Sequence, residues 1–241
     1  MQFTYRGYRS LLQLLRENQY TFTNYHEYEA HQRCVILRHD IDNSISQAVR
    51  LAEVEAEAGV KSTWFLLLRT DFYNPASASS LTALRRMQQM GHEIGLHFDE
   101  ALYPDETLEQ ITGKILREKD ILSDILQTPV TAVSMHRPSK AMLAADLPID
   151  GMINSYGQTF FRDFKYLSDS RCRWREPVED IIRSGAYNRL HILTHAFWYH
   201  EQERDITKSV GAFIRSAKGE RYSQMMDNIT DLPSILPKED I

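Results

Sequence analysis

Val35-Ile36-Leu37-Arg38-His39-Asp40-Ile41-Asp42-Asn43-Ser44 is the stretch whose reading decides the fold. An apolar, β-branched run leads into a dense polar cluster, and a helical pattern begins directly after it. Apolar runs of this length and composition read as buried strands. Side chains alternate faces along a strand, so Asp40 and Asp42 share one face while His39 and Ile41 share the other. Two neighbouring carboxylates repel unless one holds a proton or a cation sits between them. The same residues also suit a turn that caps a helix, because Asp, Asn and Ser supply turn and N-cap oxygens. The surrounding chain has to separate these two readings.

Outward from this stretch, strands and helices alternate. Leu11, Leu12, Leu14 and Leu15 predict a helix over 8–17 ahead of it, with a short extended piece at Phe22–Tyr25. After it, Ile45, Ala48, Val49, Ala52 and Ala56 share a helical stripe that Gly59 stops. Val60–Leu68 reads as a second, almost wholly apolar strand, of the kind covered on both faces in a parallel sheet. Strand, helix and strand in about 30 residues is the βαβ unit. Ser80 is placed to cap the next helix, and Gly91 to close it. In His92–Asp99, Ile94, Leu96 and Phe98 fall on one face and Gly95, His97 and Asp99 on the other. A long helix opens near Pro104. Strands follow at Val130–His136, Gly151–Tyr156, Tyr166–Ser170 and Leu190–His195, with helices at 177–182 and 206–217. Residues 219–241 show no sustained periodicity and read as a surface tail. The pattern predicts an α/β fold with a mostly parallel sheet, a closed or incomplete barrel, in one domain over 1–241 with a helical lead-in over 1–30.

Composition narrows the function. The chain carries 28 Lys and Arg against 33 Asp and Glu, for a net charge of −5, and has no basic run. That argues against a nucleic-acid partner. Cys34 and Cys172 are the only cysteines, isolated from each other, which fits a reducing compartment. No signal peptide and no membrane-spanning stretch is evident, so the expectation is a cytoplasmic protein. The 219–241 tail is a candidate oligomer contact.

Polar residues gather at the predicted strand ends. Asp40 and Asp42 end the first long strand; His97 and Asp99, His136 and Arg137, Asn154 to Tyr156, Asp169 and His195 end later ones. Such ends share one rim of a parallel barrel, where active sites lie. A single strand-end histidine is more often a hydrogen-bonded structural residue than a ligand. The joint occurrence is harder to dismiss, and histidine with carboxylate suits zinc or a similar divalent ion. His191 shares parity with His195 but lies four residues, roughly 13 Å of strand, below the rim. His200 follows in a loop within reach of the site. Phe197, Trp198 and Tyr199 either wall a sugar pocket or pack as core and lid.

Arg38-His39-Asp40-Ile41-Asp42, Gly91-His92-Glu93-Ile94-Gly95-Leu96-His97 and Leu193-Thr194-His195 together resemble the polysaccharide deacetylase family with the NodB-like domain, carbohydrate esterase family 4. The resemblance covers about 30–200. It is greatest to a divergent branch with a His-Asp-x-Asp motif, associated with surface-polysaccharide biosynthesis. It implies a distorted (β/α)7 barrel and a metal-dependent hydrolase that removes an N-acetyl group from an acetamido sugar or glycan. The implied cofactor is one divalent ion, zinc first, with cobalt, nickel and manganese as the other candidates. By motif, Asp40 matches the general base, and Asp42 the metal carboxylate, displaced by one residue from the family's adjacent pair. His97 matches the first metal histidine and His195 the general acid. The family's second metal histidine lies four residues after the first, where this chain has Ala101. His136 is therefore expected as the third ligand. His39 is assigned a supporting role, Arg137 and Asp169 the orientation of His195 or the base, and Trp174 and Trp198 contacts to the sugar. The alternatives are a catalytically altered or inactive binding module, and another metal-dependent C–N hydrolase on the same barrel.

Overall fold

The computed structural model describes residues 1–241. Its strands are β1 (Thr21–Thr23), β2 (Cys34–Ile41), β3 (Thr63–Leu67), β4 (Glu93–Phe98), β5 (Ala132–Met135), β6 (Ile153–Asn154), β7 (Lys165–Ser168) and β8 (Arg189–Thr194). Its α-helices are α1 (Tyr5–Glu17), α2 (Ile45–Glu57), α3 (Ala78–Gln89), α4 (Leu108–Leu126), α5 (Lys140–Ala144), α6 (Val178–Ser184), α7 (Ile206–Met226) and α8 (Leu232–Ile235). Every strand pairing is parallel, in the order β6-β5-β4-β3-β2-β8-β7. Short β1 extends the β3 side of β2, pairing Thr21 with Cys34, while β3 begins higher up, pairing Thr63 with Arg38.

The sheet curls but does not close, since β6 and β7 are not paired with each other. Aromatic rings bridge the gap. Tyr156, just past β6, lies 6.2 Å from the Tyr166 ring on β7, and Phe161 lies 4.9 Å from it. The architecture is a distorted, incomplete (β/α) barrel of seven strands plus the short β1. No helix is long and apolar enough to cross a membrane.

Strand parity divides the molecule. Outward residues such as Val35, Leu37, Trp64, Leu96, Val133 and Ile192 join the helix stripes in a cluster of 41 buried hydrophobic residues. The interior holds a second cluster of only seven, Tyr25, Cys34, Ile36, Phe65, Ala132, Phe160 and Phe164. The hydrophobic stabilisation therefore sits mainly in the outer layer, at about 1.5–3 kcal/mol for each fully buried large side chain. That frees the upper interior for charged groups. Gly95, inward on β4, has a steric reason: a Cβ there would come within 2.6 Å of the Phe65 ring.

The opening stretch serves both of its readings, on different residues. Asp40 and Asp42 face inward at a strand end, while Ser44 caps α2 by accepting from the Gln47 N–H at 3.3 Å. Other boundaries move. Ser77, not Ser80, caps α3. α4 starts at Leu108, with Thr107 and Gln110 forming a reciprocal capping box. Residues 219–226 are the end of α7, and α8 follows, so the tail is largely helical. α7 buries only Ser209 and Tyr222, which explains the faint periodicity. Ile206, Val210 and Ile214 lie exposed along it.

His191 is fully buried inside the barrel. Its Nδ1–H donates to the Phe160 carbonyl at 2.8 Å, and Nε2 accepts from the Tyr25 hydroxyl at 2.7 Å. Burial, with the Arg38 charge, pushes its pKa down to about 3, so it is held neutral. The unfolded chain takes up this proton near pH 6.5, the folded one only near 3. Stability is therefore lost as pH falls through that window. Denaturant midpoints measured from pH 7 to 4 should fall, and His191→Gln should reduce the slope by up to one proton. An unchanged slope would mean that His191 is protonated in the fold.

Candidate active site

Arg38, Asp40 and Asp42 follow one another up the inner face of β2. Arg38 is fully buried, and one terminal nitrogen reaches both Asp40 oxygens, at 3.0 and 2.8 Å. The same nitrogen donates to the Ser134 hydroxyl on β5, and the other to Ser155 at 2.9 Å. Tyr156 lies beneath the guanidinium at 4.7 Å. Burial pushes the Asp40 pKa up, but Arg38, with His97 and His195, outweighs it and holds the carboxyl below its usual value. Asp40 is therefore ionised at neutral pH. The Tyr73 hydroxyl ties the strand ends together, donating to the Ile41 carbonyl at 2.6 Å and accepting from the Leu67 N–H at 3.1 Å.

His97 ends β4, and His136 follows β5, where its N–H donates to the Phe98 carbonyl at 2.7 Å. With Asp42 they form a compact donor group. Asp42 Oδ1 lies 3.3 Å from His97 Nε2 and 3.4 Å from His136 Nδ1, and the two nitrogens lie 3.2 Å apart. Asp42 Oδ1 is buried, yet no contact has the alignment of a hydrogen bond. A tetrahedral ion with bonds of about 2.0–2.1 Å separates its ligand atoms by about 3.3–3.4 Å. An octahedral ion of the same bond length brings neighbouring ligands to about 2.9 Å. The triangle fits a tetrahedral ion with one position left open. His97 Nδ1–H donates to the Ser134 carbonyl at 3.3 Å, which leaves the Nε2 lone pair for the site.

His195 approaches from β8, with Nε2 3.9 Å from Asp42 Oδ2. Its Nδ1 lies 2.7 Å from Asp169 Oδ1, and its backbone N–H also donates to that carboxylate, at 3.1 Å. Asp169 is fully buried and accepts a further bond from the Tyr199 hydroxyl at 3.1 Å. Burial pushes the His195 imidazole down, but Asp169 outweighs it, aided by Asp42 and Asp40. Its pKa is raised to about 9. The site therefore sets an ionised carboxylate and a protonated imidazole around one donor triangle. All five of these side chains open into a cleft of about 470 Å³, walled by Tyr156, Phe161, Tyr166 and Trp198.

The remaining sequence candidates separate. Asp169 lies hydrogen-bonded to His195, and Trp198 lines the cleft. Arg137 lines the cleft but orients neither His195 nor the base; it is mostly exposed and lies 3.6 Å from Asp99. Trp174 packs half-buried against the outer core and does not line the cleft, so sugar stacking there is corrected. His200 contacts Ser209 instead, at 3.2 Å. His39 lies behind the sheet, where it cannot touch a substrate. It stacks on Trp64 at 3.8 Å and bridges Glu55, at 3.0 Å, to the Thr194 hydroxyl, at 2.6 Å. It thereby braces β2 against β8, with Thr194 next to His195. Ala101 is exposed in the turn after β4. Arg38 was missed as a site residue. Its inward parity with Asp40 and Asp42 was the available signal.

Arg137, Arg171 and Cys172 have φ of 49°, 60° and 55°, in the left-handed region that side chains avoid. Each such residue costs on the order of 1–3 kcal/mol, held in place by its surroundings.

No family model matches this chain, and no curated protein matches it. Among solved structures, it is similar to the peptidoglycan deacetylase of Bacillus subtilis, at 15% identity and a TM-score of 0.47, covering 82% of this chain and 97% of that one. It is similar to the chitin deacetylase of the fungal pathogen Colletotrichum lindemuthianum at 16% and 0.47, covering 81% and 86%. A third is a Streptococcus pyogenes deacetylase in complex with acetate, at 14% and 0.45, covering 78% and 79%. Likenesses this loose carry no weight in the reading of the site, which stands on its own geometry.

Proposed function

We propose that this chain is a metal-dependent N-deacetylase of the polysaccharide deacetylase kind, acting on an acetamido sugar of a glycan or of a glycan precursor. The observation that supports it most is the donor triangle of Asp42, His97 and His136, with Asp40 and His195 beside it in opposite charge states. The cofactor is a single divalent ion, with zinc favoured by the tetrahedral spacing. Such an ion, when bound, polarises an amide carbonyl and acidifies a water. Asp40, ionised and held by Arg38, accepts the proton that the attacking water loses. His195, protonated and oriented by Asp169, donates a proton to the departing amine. The aromatic walls exclude water and offer flat faces to a sugar ring.

Protein stripped with a chelator should release no acetate from N-acetylated mono- and oligosaccharides. Adding back one equivalent of zinc or cobalt should restore release. Stoichiometric metal without acetate from any acetamido sugar would sink the deacetylase reading and leave a binding module.

A further inference from the structure

We infer that the sugar this cleft accepts carries an anionic group, a phosphoryl or a carboxylate, as well as its acetamide. The inference rests on the deacetylase reading and names the substrate class of the same site. Although the chain is acidic overall, the cleft that holds the donor triangle is lined by three arginines, Arg137, Arg171 and Arg175. All three are exposed. Arg137 is partly offset by Asp99, but no carboxylate lies within ion-pair distance of Arg171 or Arg175. The carboxylates inside the cleft are committed elsewhere. Asp40 is held by Arg38 and Asp42 belongs to the donor triangle. Two guanidiniums therefore face the cleft without a partner.

Backbone conformation points the same way. Arg137 and Arg171 both stand at positive φ, and Arg171 is followed by a second such residue, Cys172. Side chains other than glycine rarely adopt this conformation, and it concentrates at functional sites. Six non-glycine residues of the chain stand at positive φ, and two of them are arginines of this one cleft. A solubilising surface charge requires no such conformation. Guanidinium is also the side chain that matches the paired oxygens of a phosphoryl or carboxylate group. The aromatic walls provide for the sugar ring, and the arginines are left for the anion.

The test compares three probes on metal-loaded protein: N,N′-diacetylchitobiose, N-acetylglucosamine 1-phosphate and N-acetylmuramic acid. Acetate release gives kcat/KM for each, and calorimetry gives the Kd of each. At least one anionic probe should exceed the neutral disaccharide by about tenfold or more, since a charged hydrogen bond at a partly exposed site is worth about that factor. Which probe wins separates a phosphoryl from a carboxylate substrate. In Arg171→Gln/Arg175→Gln the ratio of anionic to neutral kcat/KM should fall about tenfold or more, through KM. The same double variant should weaken the Kd of the preferred anionic probe by a similar factor. Equal or better use of the neutral disaccharide, or a ratio and Kd unmoved in the double variant, overturns this inference and leaves the deacetylase reading intact. If no probe releases acetate, the deacetylase reading fails, and the calorimetric comparison still decides whether the arginines hold an anion.

Discussion

His136→Ala is expected to empty the metal centre while leaving the fold in place. Purified wild type should hold about one divalent ion per chain, and the variant less than about a tenth of that by elemental analysis. The reason is the ligand count. Catalytic zinc sites use three protein ligands and keep a fourth position for water or substrate. In the proposed centre Asp42 and His97 supply two, and Ala101 supplies nothing. His136 Nδ1, 3.2 Å from His97 Nε2, is the nitrogen that completes the triangle. It lies beyond the end of β5, its side chain is 17% exposed, and its remaining ring nitrogen has no protein partner, so truncation opens no core cavity, although Asp42 loses one of the imidazoles that hold its carboxyl down. Metal-free variant and metal-free wild type should therefore both unfold cooperatively, the variant at a modestly lower temperature. His97→Ala should also lose the metal, but with a stability cost, because that ring is buried and bonded to the Ser134 carbonyl. Full metal occupancy in His136→Ala would show that the third ligand lies elsewhere.

This dependence on His136 explains what the sequence could show and what it could not. Parity along Arg38–Asp42 is a local property, and it correctly sent Asp40 and Asp42 to one face. The same arithmetic put His97 inward and His39 outward. The grouping of His136 with them followed from strand ends sharing a rim. The role of Arg38 was harder to read, because its partners are spread along the chain: Asp40 on its own strand, Ser134 on β5, Ser155 and Tyr156 just past β6, and Tyr166 on β7. A cation in an apolar strand signals a nearby counter-charge but not which one. Trp174 misled because aromatic residues near a strand end serve equally as wall or core, and only its packing against the outer core separates the two. α7 was under-read past residue 217 because a helix that faces solvent buries too little to impose a period.

His39 and Glu55 illustrate the same limit on the other side of the sheet. Glu55 is fully buried, and accepts from the Tyr8 hydroxyl at 2.6 Å, from Ser62 and from His39. Burial pushes its carboxyl up, but His39 outweighs it and keeps it ionised. A buried carboxylate is tolerated only with such partners. Tyr8 on α1 also lies 5.3 Å from the ring of Tyr199, which holds Asp169. The lead-in helix is thus packed against the residues that position His195, a connection that spans nearly the whole chain and leaves no local pattern.

The pairing of Arg38 with Asp40 makes the second strong prediction, and it has two halves. Asp40→Asn removes the proposed proton acceptor and should lower the acetate-release rate by about 10²–10⁴-fold, with metal content retained because Asp40 lies outside the donor triangle. Arg38→Met leaves Asp40 in place but removes the charge that holds its pKa down. The largest charge opposing burial is then gone and only His97 and His195 remain, so the carboxyl rises and more of the base is protonated at a given pH. The rate should be low at pH 7 and recover as pH rises, moving the acidic limb of the rate profile upward, whereas Asp40→Asn should not recover at any pH. Each single variant strands one buried charge, at a cost of about 3–5 kcal/mol, and Arg38→Met/Asp40→Asn should cost less than the sum of the two. The linkage has a definite sign in wild type. Because the native carboxyl lies below its ordinary value of 3.8, Asp40 stabilises the fold above that pH, and the contribution disappears as pH falls through the native value. In Arg38→Met the native value moves up toward the unfolded one, so this pH-dependent stabilisation shrinks. Rates that fall equally at every pH in both single variants would show that Arg38 does not set the charge of Asp40.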